Sequence, residues 1–176
     1  MITIRPETPA DVDAIGTITT NAFARAPHRS GTEAAIIAGL RDAGALSLSL
    51  VAEEEGAVVG HVAFSAVRVD GRDVGWLALG PIAVRPDRQG RGIGAALVHE
   101  GLARVRDGGA RGGVPVGDPG SYGRLGFCAE PALAKPGVPA QYVLAHSFAG
   151  ETPAGRLSHH EAFATPSRRQ VTEPGP

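Results

Sequence analysis

With 176 residues, 43% of them hydrophobic and 20% charged, the chain has the length and composition of one domain, or one domain with a tail, able to bury a real core. A net charge of −1 gives no reason to expect nucleic acid or an anionic membrane as the main partner, and a single cysteine, Cys128, excludes an intrachain disulfide framework and a cysteine-rich zinc site. No run of about 18 apolar residues occurs and no charged-then-apolar leader opens the chain, so the expectation is a soluble cytoplasmic protein.

Taken in order, Ile2-Thr3-Ile4-Arg5 reads as a short first strand. Thr8-Pro9-Ala10-Asp11 is a helix start, with Thr8 as cap and Pro9 in the first turn, and Val12, Ile15, Ile18 and Ala22 follow at helical spacing. Ser30-Gly31-Thr32-Glu33 starts a second helix, with Ile36, Ile37 and Leu40 on its buried face. Leu46, Leu48 and Leu50 alternate with serines in the period of a half-buried strand, and Glu53-Glu54-Glu55-Gly56 reads as a solvated turn. Val58 to Val69 is a long strand closed by the hairpin signal Asp70-Gly71, and Trp76 to Val84 is the next, so residues 46 to 84 form an antiparallel meander. Pro81 cannot donate to a ladder, and with Gly80 beside it the pair marks an edge or a bulge.

The stretch Gln89-Gly90-Arg91-Gly92-Ile93-Gly94 then lies between that strand and a helical pattern beginning near Ala95. Three glycines in five residues let the backbone come close to a ligand, and the N–H groups that open the next helix suit an anion, most readily a phosphate. It is not a Walker loop, which needs Gly-Lys-Ser/Thr where Ile93-Gly94-Ala95 stands, and it is not a dinucleotide fingerprint, which needs Gly-x-Gly-x-x-Gly and an acid about twenty residues on. Six arginines from Arg85 to Arg111, against Asp87, Glu100 and Asp107, suggest where a polyanion would dock. Val98, Leu102 and Val105 mark the buried face of the helix, and Gly108-Gly109 ends it. Val114-Pro115-Val116 is a short strand, Asp118-Pro119 caps a short helix, and Ala140 to Phe148 is the last convincing strand. From Gly150 onward Gly, Pro, Ser and Thr accumulate. The expected organisation is a domain over residues 1–149 and an extension over 150–176 that could dock on the core, complete a neighbouring subunit in a homodimer, or wander in solvent, with Thr165 to Pro176 expected to be mobile.

Gln-x-x-Gly-x-Gly after Pro86, preceded by Leu79-Gly80-Pro81-Ile82-Ala83-Val84 and followed by Gly117-Asp118-Pro119 through Gly126-Phe127, resembles the GNAT superfamily of acyl-CoA-dependent N-acetyltransferases, in its YhbS-like branch. The resemblance covers nearly all of residues 1 to 148. It implies an α/β (α+β) GNAT fold, a central mixed, mostly antiparallel sheet flanked by helices and splayed between its fourth and fifth strands. It implies acetyl-CoA as co-substrate and no metal, with the pyrophosphate on Gln89, Gly90, Arg91, Gly92, Ile93 and Gly94 and the pantetheine arm on main-chain groups of Ile82, Ala83 and Val84.

By the same resemblance Tyr122 is the general acid that serves the departing thiolate, since a phenol is protonated at neutral pH. The family's usual carboxylate on the fourth strand is missing from Trp76 to Val84. His61 is carried as a candidate base beside the structural reading of a lone strand histidine, and solvent is a third taker of the proton. Phe23, Arg25 and His28 lie where the acceptor site is shaped in such folds. Cys128 reads as a small buried hydrophobe, and His159-His160 shows no third metal ligand at suitable spacing. The expected reaction is direct attack of a primary amine, on a small molecule or a peptide, on the thioester. The alternatives are a non-catalytic acyl-CoA sensor and, more remotely, a toxin-type enzyme acting on charged tRNA, which the net charge does not suggest.

Overall fold

Two hairpins give the sheet its frame. In the computed structural model, which describes residues 1–24 and 31–164, β2 (Leu46–Glu54), β3 (Ala57–Val69) and β4 (Arg72–Val84) form the expected meander. Asp70 and Gly71 both take positive φ, 51° and 75°, the twist that a two-residue hairpin turn requires. The other hairpin turns on Glu55-Gly56 alone (φ 51° and 80°), so the acidic run is not a solvated tip. Instead, β2 continues through Glu54; Glu53 bonds Arg5 at 2.8 Å and Glu54 bonds Arg88 at 2.6 Å. β1 (Ile2–Pro6) pairs antiparallel with β2 on the outer edge.

The alternation along these strands sends side chains to two different helical layers. Leu50, Ala52, Val62, Phe64 and Leu79 meet Ile93, Leu97, Val98, Leu102 and Val105 of α3 (Ile93–Asp107), while Val51 meets Ile15 of α1 (Val12–Phe23) and Ile37 of α2 (Glu33–Asp42). Thr8 and Asp11 open the first helical segment as anticipated, although residues 9–11 are a 3₁₀ turn, and the Thr8 N–H donates to Asp11 Oδ2 at 2.7 Å. α3 begins at Ile93, two residues before the sequence pattern suggests, and Gly101 lets it lie against the Phe64 ring, where a Cβ would overlap ring carbons.

Beyond β4 the sheet opens. β5 (Gly112–Val114) runs parallel to β4 for only three pairs, Trp76↔Gly112, Leu77↔Gly113 and Ala78↔Val114. Past Ala78, β4 carries the bulge that Gly80-Pro81 foretells, as a register shift against β3 between Leu79 and Ile82, with Gly80 at φ +124°. On the other side Val116 leaves to bridge Val143, and the chain turns into α4 (Pro119–Gly123), whose cap Asp118 accepts the Ser121 N–H at 2.8 Å. The sheet is therefore mixed, mostly antiparallel, and parted between β4 and β5.

The C-terminal part differs most from expectation. Of residues 140–148, the first three form a 3₁₀ turn, and β8 is only Leu144–Ser147, between β5 and β6 (Cys128–Ala129). The sheet does not end there, since β9 (Gly155–Ser158) pairs with the end of β3 and with β7 (Leu133–Ala134). Leu157 is fully buried beside Val67, Trp76 and Leu133, and Asp70 takes the Arg156 N–H at 2.9 Å. The helical turn at Glu161–Ala164 then rests on α2, with Ala162 against Gly39. The extension that follows residue 149 thus docks on the core as far as Ala164. Arg25 and His28, and the segment from Thr165 to Pro176, lie outside the described residues.

Candidate active site

Where β4 and β5 part, a cleft of about 1270 Å³ opens. One end is main chain. Gly90 and Gly92 sit at φ 77° and 80°, which a Cβ would strain, and this turns residues 89–92 so that α3 starts over the cleft. The first bond into the helix runs from the Ala96 N–H to the Gly92 carbonyl (3.0 Å), so the N–H groups from Gly90 to Ala95 have no backbone acceptor among the described residues. Gly90, Gly92, Ile93 and Gly94 line the cleft with these donors; Arg91 does not, and its side chain, 57% exposed, leans toward Glu54 at 3.9 Å. Gln89 lines the cleft and fastens the loop to the strand, its amide donating to the Val84 carbonyl at 3.1 Å.

Most of the arginine charge read from the sequence is answered locally. Arg85 pairs with Asp87 at 2.6 Å, Arg88 with Glu54 at 2.6 Å, Arg104 with Glu100 at 2.7 Å and Arg106 with Asp107 at 3.5 Å. An anion here meets oriented amides and a helix dipole more than free guanidinium.

The three residues expected to bond an extended ligand separate into two kinds. The Arg85 N–H bonds the Val59 carbonyl at 2.8 Å, and alternation then turns the main-chain groups of Ala83 toward His61 in β3. Those of Ile82 and Val84 face the opposite edge, which β5 has left, and these two residues line the cleft while Ala83 does not. Ala83 is therefore a ladder residue, and the free edge belongs to its neighbours.

Tyr122 lies across the cleft on α4. Its ring packs edge-on against Phe127 (centroids 6.0 Å apart, planes at 87°), and Gly117 passes over it where a Cβ would come within 2.7 Å of the ring. Burial raises the phenol's pKa above its ordinary value, which keeps the proton on at neutral pH. The cleft lining thus combines a protonated phenol with the open amides of the loop and with a set of side chains from other segments.

His61 is not at the cleft. Fully buried between β2 and β4, it shares a 2.7 Å hydrogen bond between Nε2 and Ser49 Oγ, with Glu7 3.8 Å away and held by Arg41 at 2.8 Å. Burial lowers its pKa to about 4 despite Glu7, so it is a neutral core imidazole sealed from any amine. Cys128, expected inside, is exposed on β6 and does not line the cleft.

What sequence reading missed is that Phe23 and Glu33 line the same cleft as Lys135, His159, His160, Glu161 and Phe163. Only Phe23 and the histidine pair drew notice in the sequence, because these groups come from segments more than a hundred residues apart. No group of three or more His, Cys, Asp or Glu suited to a metal occurs among the described residues, and no described helix is long and apolar enough to cross a membrane.

Comparison with known proteins agrees with this geometry. The model of the acetyltransferase (GNAT) family matches residues 14–126. The uncharacterized N-acetyltransferase YhbS of Escherichia coli K12 is 41% identical over 125 residues, 70% of this chain and 72% of that protein. A GNAT family acetyltransferase from Brucella melitensis, solved in complex with acetyl-CoA, superposes with a TM-score of 0.84 at 44% identity over 93% of this chain and 98% of that one. The E. coli YhbS structure, in complex with CoA, does so with a TM-score of 0.85 at 34% identity over 95% and 96%. With the family matched over residues 14–126 and these relatives aligned over most of both chains, the chain belongs to the GNAT family of acetyltransferases.

Proposed function

We propose that this protein transfers the acetyl group of acetyl-CoA to a primary amine by direct attack, with Tyr122 as the general acid. The observation that carries the reading is that one cleft joins three things: the N–H groups of the glycine loop that lack a backbone acceptor, the β4 edge at Ile82 and Val84 where only the Val84 carbonyl is taken, by Gln89, and the Tyr122 phenol. Those parts suit the group. A diphosphate fits a helix start with open donors, and an amide-bearing arm can bond a strand edge whose neighbour has left. Acetyl-CoA when bound supplies an activated acyl carbon and a thiol leaving group.

The roles of the chain's own residues follow from where they stand. Gly90 to Gly94 hold the anionic end by main chain, and Gln89 keeps the loop against β4. Ile82 and Val84 align the arm. As the amine nitrogen bonds the acyl carbon and the carbon–sulfur bond breaks, Tyr122 gives its proton to the sulfur, and the nitrogen gives one up to Glu33, Glu161 or water. Glu33 and Glu161 supply, from α2 and the C-terminal turn, the carboxylates that β4 lacks. No covalent enzyme intermediate is needed.

The test is to incubate the protein with acetyl-CoA and a panel of primary amines, following free thiol and the mass of the amine product. Thiol release coupled to N-acetylated product supports transfer. Saturable CoA binding with no thiol release from any amine would leave a non-catalytic acyl-CoA sensor instead.

A further inference from the structure

The acceptor end of the cleft carries an unanswered set of hydrogen-bond donors. Lys135 is the only lysine in a chain whose 17 basic residues are otherwise arginine. It is half-buried in the cleft wall, and burial alone, with no carboxylate beside it, lowers its pKa. Among the described residues its ammonium has no ion pair or hydrogen bond. Glu33 and Glu161 face the same cleft, yet neither is its partner. A half-buried ammonium left without a counter-charge costs free energy, and an anionic ligand in the cleft would supply the missing charge.

Two imidazoles stand with it. Burial, and after it the nearby charge of Lys135, lower the His159 pKa to about 4, so its imidazole is neutral. Its Nδ1 is buried without a partner, while the ring leans on Phe163 at 4.8 Å. A buried N–H with no acceptor is costlier than a bare nitrogen, so the proton sits on Nε2. His160 reaches the same tautomer by another route, because its Nδ1 accepts the Ala162 N–H at 3.0 Å and leaves the proton on Nε2. The lining of the cleft thus includes three side chains that each carry an N–H donor. All three residues lie outside the segment matched by the family model, which ends at residue 126.

We infer that Lys135, His159 and His160 form an anion subsite, and that the acceptor is a primary amine that also carries a carboxylate or a phosphate. This deepens the proposed transfer reaction and rests on it for the amine. The subsite fixes the anionic end of the acceptor by charge-assisted hydrogen bonds, with Phe23 and Phe163 covering its apolar part.

The experiment has two arms, each comparing the wild type with Lys135→Gln and Lys135→Glu. In the first, protein saturated with CoA, so that loop 89–94 is occupied, is titrated calorimetrically with inorganic phosphate. Saturable binding to the wild type that weakens about tenfold or more in both variants is expected; equal binding by all three, or none by the wild type, overturns the subsite. In the second, kcat/KM is measured for matched amines: phenylalanine against phenethylamine, and O-phosphoethanolamine against ethanolamine. The wild type is expected to prefer the anionic member of at least one pair by about tenfold or more, and which pair responds tells carboxylate from phosphate. Lys135→Gln brings that ratio toward one through KM, and Lys135→Glu inverts it. A wild-type preference for the uncharged members, or a ratio unmoved by both variants, overturns the inference. If CoA fails to bind at all, the transfer reading falls by itself, while phosphate titrated into the free protein still decides the subsite by the difference between wild type and Lys135→Gln.

Discussion

The two ends of the cleft are built in opposite ways. At the proposed donor end the groups on offer are main-chain N–H and carbonyl groups, aimed by glycine φ angles, a helix start and a strand edge, and nearby arginines are mostly occupied with Asp87 and Glu54. At the proposed acceptor end the groups on offer are side chains, Phe23 and Glu33 from α1 and α2 and Lys135, His159, His160 and Phe163 from the C-terminal third. Main-chain recognition tolerates wide sequence change as long as the backbone can take the shape. Side-chain recognition can be rewritten by a few substitutions, so a fold can keep one co-substrate while changing the other.

Substitutions at each end sharpen or break this contrast. The largest expected effect is at Tyr122, between the two: Tyr122→Phe should lower kcat about 10²-fold, with the calorimetric Kd for CoA changed little, and an unchanged kcat would take the phenol out of the chemistry. Next, Gly92→Asp places a carboxylate and a strained φ where a diphosphate is expected, and should weaken CoA binding tenfold or more, whereas Arg91→Ala should change it less than about threefold. If Arg91→Ala were the more damaging, the donor end would be read by side chains after all. Gly101→Ala tests whether α3 must lie this close to the sheet; the added methyl meets the Phe64 ring and should cost about 2 kcal/mol in urea unfolding.

The smallest effect concerns His61. Its folded pKa of about 4 lies below the ordinary 6.5, so between those values the unfolded chain binds a proton that the native protein does not. The stability this neutral histidine carries is fully present above pH 6.5 and is lost as pH falls toward 4. Urea midpoints should fall over that window, and His61→Gln should flatten the fall while leaving the pH–rate profile of the wild type in place. A rate profile that moves with His61→Gln would put the imidazole back among the proton acceptors.

How much of this was legible in the sequence follows from the same contrast. The loop, the Gly80-Pro81 bulge, both hairpins and the capped α4 were readable because glycine, proline and cap residues report backbone shape locally. Ile82, Ala83 and Val84 could not be told apart, since which strand groups face a free edge depends on pairing register, fixed here by the bond from Arg85 to Val59. Glu53 and Glu54 looked like a solvated tip because their partners, Arg5 and Arg88, are distant in the chain. β9 was hidden in a Gly- and Pro-rich stretch with one strong apolar anchor, Leu157, and with it went the acceptor wall that follows directly at His159. Cys128 was misjudged because proximity to the buried Phe127 says little about a two-residue edge strand.

The most direct measurement is a calorimetric titration of coenzyme A into the wild-type protein and into Gly92→Asp. One saturable site per chain, weakened at least tenfold by the aspartate, is the outcome expected of a diphosphate gripped by the bare amides of residues 90–95. Absence of saturable heat in the wild type, or equal affinity in both proteins, would mean that this helix start does not hold the co-substrate.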